Sequence, residues 1–144
     1  MDSHNFLFIA GHWKGSGEIS LAESEEPLIF TTQWTIEVAD SRISCTQEIE
    51  IEGLPEKMSN AYLITHQGLS HFDIQLSNPL FGTVVGKGLK APNFIAWEFR
   101  GLHDAGFDGF EKYDRHPNGL YSIHAEYTSG DHSRTVISGS LWPA

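Results

Sequence analysis

Cysteine is almost missing from this chain: Cys45 is the only one. A lone thiol cannot close an internal disulfide, so the fold must stand on packing and hydrogen bonds, and a reducing compartment suits it. Cys45 lies in an alternating apolar run without an activating partner, which reads as a small core residue rather than a nucleophile. Basic residues are scarce as well. Nine Lys and Arg against nineteen Asp and Glu give a net charge of −10. No Lys/Arg cluster is available to neutralise phosphates, which argues against nucleic acid as a partner, and the same balance opposes anionic membrane surfaces. The N-terminal apolar run, Phe6 to Ala10, has no basic flank and is too short for a secretory segment or a membrane span. A cytoplasmic protein is expected.

Helical periodicity is also lacking. What replaces it is a series of alternating runs bounded by Gly, Pro, Asn or Asp. The spacing predicts strands over residues 13–21, 28–38, 42–52, 60–67, 70–77, 80–89, 94–102, 107–114, 120–128 and 134–142. The third is the cleanest, with Ile43, Cys45, Gln47, Ile49 and Ile51 on one face and Ser44, Thr46, Glu48, Glu50 and Glu52 on the other. Turns are expected at Asp40-Ser41, Gln67-Gly68, Asp104-Ala105-Gly106, Ser129-Gly130-Asp131 and, as the strongest signal, His116-Pro117-Asn118-Gly119. Gly82, Gly86 and Gly88 interrupt the sixth run and suggest bulges there.

Residues 1–144 suit one domain, large enough to bury roughly 70% of its unfolded surface. Connections this short leave no room for a crossover helix and force antiparallel neighbours. About ten strands in an open sheet would leave two exposed edges, whereas closure removes both. The expected fold is therefore all-β, a closed antiparallel up-and-down barrel wide enough to keep a cavity, with a two-sheet sandwich as the alternative.

The first strand carries the sharpest motif. Gly11, Trp13, Gly15 and Gly17 recur every second residue and share one face: an indole to plug one end, and glycines to let the strand bend across its neighbours. Gly11-His12-Trp13 resembles the G-x-W signature of the calycin superfamily, the lipocalins, fatty-acid-binding proteins and their relatives. The apolar lead at residues 6–9 looks like the helical turn that caps such barrels. The resemblance implies a basic residue near the last strand stacked over the Trp, and Arg134 stands at the matching position. Departures accompany it: neither the C-terminal helix of lipocalins nor the helical insert of fatty-acid-binding proteins has a counterpart here. The G-x-W-x-G-x-G spacing is closer to nitrobindin-like ten-stranded haem barrels, although Ile19 occupies the slot where those continue with another glycine.

With the apolar face of each strand turned inward, the lumen would present Phe30, Trp34, Gln47, Phe72, Trp97, Phe99, Tyr121 and Tyr127. Such a wall suits an apolar, fatty-acid-like ligand without a cofactor. A sixteen-carbon chain would gain about 12 kcal/mol gross on burial, against association costs of roughly 4–15 kcal/mol. The resemblance also admits haem, for which His124 is the best axial candidate, although alternation places it with Ser122 and Glu126 on the outer face. A third reading, a barrel enzyme, would use an interior carboxylate from Glu98 or Glu111, with His124 as a further acid–base group. On its strand Glu98 shares the outer face with Arg100, which points to a surface ion pair. No metal-spaced His/Cys cluster, nucleophile elbow or phosphate-cradling loop accompanies these residues.

Overall fold

Alternation decides the architecture. The computed structural model of the protein describes residues 4–22, 24–79, 82–100, 108–128 and 133–144. In it each alternating run is a strand: β1 (Gly11–Leu21), β2 (Leu28–Ala39), β3 (Arg42–Ile51), β4 (Met58–Thr65) and β5 (His71–Asn78), then β6 (Gly82–Ala91), β7 (Phe94–Arg100), β8 (Asp108–Arg115), β9 (Tyr121–Thr128) and β10 (Arg134–Pro143). Every boundary lies within two residues of the expectation wherever the chain is described. The turns expected at Asp104-Ala105-Gly106 and Ser129-Gly130-Asp131, together with Glu23, Leu80, Leu102, His103, Phe107 and His132, lie outside the described residues.

The strands follow one another round a closed antiparallel barrel, and β10 returns to β1. That seam runs from Trp13 opposite Pro143 to Leu21 opposite Thr135. Beyond it, Ala144 N donates to His12 O at 3.0 Å and Ala22 N to Arg134 O at 3.1 Å. No sheet edge is left open, which removes the sandwich alternative. Glycine sets the curvature here: a Cβ on Gly17 would stand 2.0 Å from Ser138 O and 2.6 Å from the Cα of Gly139. Only two facing glycines let these backbones come so close.

The barrel is filled at one end. Residues 6–8 form a turn that drops Phe6 and Leu7, both fully buried, into the end where β1 begins. Phe6 meets Trp13, Trp34, Tyr113 and Tyr121 at ring-centroid distances of 5.1–5.6 Å. His4, just ahead of that turn, is buried as well. It bonds the Tyr121 hydroxyl through Nδ1 at 2.8 Å and the Ala91 carbonyl through Nε2 at 2.5 Å. A carbonyl only accepts, so Nε2 carries the proton and Nδ1 receives the Tyr121 O–H. Burial, more than any neighbour, lowers the His4 pKa and favours this neutral form.

Two expectations need correction. Arg134 does not stack over Trp13, because the antiparallel seam puts it at the far end of β1, beside Leu21 and Ala22. Its guanidinium pairs with Glu126 on the outer wall instead. At the plugged end the guanidinium is that of Arg115, which donates to the Pro92 carbonyl and bonds Tyr121, while the Lys90 ammonium stands over the Phe8 ring. Nor does β6 bulge. Its pairing with β5 and with β7 runs without a skipped residue. Gly88 serves side-chain packing there: a Cβ would lie 2.0 Å from the Phe72 ring.

Candidate functional site

The other half of the lumen is hollow. A cavity of about 360 Å³ opens between the end of β1, the start of β2 and the strands facing them. Ile19, Leu28, Phe30, Ile49, Ile51, Leu76, Ile123 and Ile137 form its apolar wall. Its floor, where it meets the packed half, is polar and is built from β2, β3, β4, β8 and β9, and the polar lining extends to Asn78 at the end of β5.

Glu111 stands at the centre of that floor and is 5% exposed. Alternation along β8 sends Gly109, Glu111 and Tyr113 inward while Phe110 and Lys112 face out. The register sets Glu111 between Trp97 of β7 and Ala125 of β9. Its Oε1 accepts from the Tyr113 hydroxyl at 2.6 Å. Its Oε2 accepts from the Tyr62 hydroxyl at 3.0 Å, from Trp97 Nε1 at 3.3 Å and from the Tyr127 hydroxyl. Among the described residues, four donors and no acceptor thus converge on one buried carboxyl group, the surroundings an acceptor-only carboxylate needs. The three phenols are held well above their usual pKa, first by burial and then by the negative charge of Glu111. All three keep their protons and remain donors.

A second polar row continues beside them. Asn78 donates to Asn60 at 2.6 Å, Asn60 to Gln47 at 3.0 Å, Gln47 to Thr32 at 3.2 Å and Thr32 to the Glu48 carbonyl at 2.9 Å. The row ties the neighbouring strands β5, β4, β3 and β2 together along one side of the barrel. It also satisfies polar groups whose burial without partners would cost about 1–3 kcal/mol each.

Of the residues expected to line a ligand site, the structure brings Phe30, Gln47 and Tyr127 to the cavity. Trp34, Phe72, Trp97, Phe99 and Tyr121 are not among its lining residues. They are fully buried in the packed core, where the Trp34 ring stacks on Tyr62 and that of Trp97 on Tyr113. Of these five, Trp97 reaches the site, through its N–H to Glu111. Alternation tells inside from outside but not which depth of the lumen a residue occupies; the N-terminal plug sets that.

Glu111 occupies the interior position that the enzyme reading required. Glu98 does not: it is exposed and lies 3.6 Å from Arg100 on the outer wall. His124 also faces outward, with Nε2 2.8 Å from Glu126, and no histidine is among the described residues lining the cavity. The expected axial ligand therefore does not fit haem bound in the lumen. Tyr62, Tyr113, Asn60 and Asn78 escaped the sequence reading. Their signal was present: a polar or phenolic side chain in phase with an inward apolar one, as in Tyr62 with Ile64 and Glu111 with Tyr113.

Fold and site together define a class, a ten-stranded antiparallel barrel plugged at one end and hollow at the other over a polar floor. No protein-family model matches the chain, and no curated protein does. Among solved structures it is similar to EF1p2_mFAP2b bound to DFHBI, with 13% identity over 94% of this chain and 93% of that one and a TM-score of 0.46. The reading of the site therefore rests on its own geometry.

Proposed function

We propose that the protein binds a small, largely apolar molecule in the hollow half of the barrel and leaves it chemically unchanged. The carrying observation is the cavity itself, an apolar wall closed below by a hydrogen-bonded polar floor. The calycin resemblance of Gly11-His12-Trp13 supports the same reading, and the buried thiol of Cys45 accords with a cytoplasmic location. At about 30 Å³ per water-sized group, 360 Å³ suits a ligand of on the order of a dozen non-hydrogen atoms. A ten-carbon chain buried whole would gain about 8 kcal/mol, comparable with the cost of association, so the fit of the polar end decides affinity. Catalysis would fall to Glu111, but four donors already stabilise its carboxylate and so weaken it as a base toward a substrate proton. Binding is the reading favoured.

The test uses naphthalene, a rigid apolar probe of suitable size, followed by calorimetry. One equivalent is expected to bind the wild-type protein, and Ala125→Phe, which fills the cavity from β9, is expected to abolish binding while the fold persists by circular dichroism. Unchanged binding in that variant, or none to the wild type, would overturn the proposal.

A further inference from the structure

Taking the binding reading as its base, we infer that the polar end of the ligand is a hydrogen-bond donor, a hydroxyl or an ammonium group, and not a carboxylate. The inference comes from accounting for protons on the cavity floor. A phenol has one proton, and Tyr62, Tyr113 and Tyr127 each give theirs to Glu111. What the oxygens of Tyr62 and Tyr113 still offer is lone pairs. The Trp97 N–H is spent on the same carboxylate. Around Glu111 the floor therefore presents acceptors alone, and an incoming group must bring its own proton.

Charge points the same way. Glu111 is the only ionisable carboxyl among the described residues lining the cavity, and no Lys, Arg or His stands with it. A carboxylate end would meet this negative charge at low dielectric with no cation to offset it, whereas an ammonium would supply the missing counter-charge. In the adjoining amide row Asn60 and Gln47 each have one N–H beyond the one given to Gln47 and to Thr32, so an acceptor-only ligand would find neutral amide donors there but no cation. The site thus selects against the fatty-acid anions that an apolar barrel first suggests. Its wall accepts their chains, but its floor repels their head groups.

Four ligands with one ten-carbon chain separate the terms: decan-1-ol, decylammonium, decanoate and decyl methyl ether, which keeps the oxygen without its proton. Competition with naphthalene at neutral pH is expected to show the alcohol and the ammonium binding at least tenfold more tightly than the ether and decanoate. In Glu111→Gln, whose amide both donates and accepts, that gap is expected to shrink at least threefold. Decanoate or the ether binding the wild type as tightly as the alcohol would overturn the inference and leave cavity binding intact. If naphthalene binds and none of the four competes, the inference is likewise overturned. If naphthalene too fails, both readings fall. Should Glu111→Gln not fold, the wild-type series decides alone.

Discussion

Glu111 holds the floor of the cavity in place because three tyrosines on two other strands and its own are aimed at it, and small residues leave them room. Gly109 is the clearest of these. A Cβ there would lie 2.1 Å from the Tyr127 ring and 2.9 Å from the Glu126 carbonyl, so Gly109→Ala must push the ring away and draw its hydroxyl off Glu111. The expected cost is about 1–3 kcal/mol in urea unfolding, together with weaker binding of decan-1-ol. Gly11 provides the contrast, since nothing lies within 4 Å of a Cβ built on it. Gly11→Ala is expected to stay within about 0.5 kcal/mol of the wild type. Equal costs at the two positions would show that Tyr127 is not seated as described. One residue on the packed side runs against the pattern of satisfied polar groups: the Trp34 Nε1–H is buried with no acceptor among the described residues.

At the scale of elements, the N-terminal segment and the β1–β10 seam decide which half of the barrel is solid. The plug is latched by His4 in its neutral form. Burial lowers its pKa, so the unfolded chain, with a histidine pKa near 6.5, takes up the proton more readily than the folded one. The latch contributes fully above about pH 6.5, and its contribution is lost as pH falls through the lower folded-state value. Thermal unfolding is thus expected to show a drop in Tm between about pH 7.5 and about pH 5.5 that is smaller in His4→Ala. The same drop in both proteins would remove His4 from the latch. The strands themselves were legible in the sequence because an inward and an outward face leave a period of two, and Pro and Gly mark where each run ends. The plug was legible only as an apolar lead. That His4 and Arg115 hold it, rather than Arg134, depends on tertiary register, which places residue 134 at the opposite end of the seam from Trp13.

Seen whole, the molecule divides its lumen into an aromatic core and a hollow, with Tyr62, Tyr113 and Tyr127 along the boundary. All four tyrosines of the chain are held above their ordinary pKa, Tyr62, Tyr113 and Tyr127 far above it and Tyr121 less so, each mainly by burial. A raised folded-state pKa means that their contribution to stability is intact below about pH 10 and fades as the pH climbs further. In an alkaline titration followed by tyrosinate absorbance, Tyr62, Tyr113 and Tyr127 are expected to ionise only as the barrel unfolds. Gradual ionisation near pH 10 with the fold intact would mean that their hydroxyls face water. The thiol of Cys45, pushed up to about 12 by burial, should stay equally inert to alkylation until then. Closure of the sheet could be inferred from strand count and loop length, but the position of the hollow could not. Phe30 and Phe72 read alike in the sequence as inward aromatics, and only the three-dimensional stagger of the strands sends one to the cavity and the other to the core.

The central claim is that ligand enters one half of the lumen and not the other, and methyl-resolved NMR during a naphthalene titration tests it most directly. Shifts are expected at Leu28, Leu76, Ile123, Ala125 and Ile137 around the cavity, with Ile36, Ile43, Ile64 and Ile95 in the packed half left in place. Perturbations centred on that second group, or confined to the outer wall, would contradict the account.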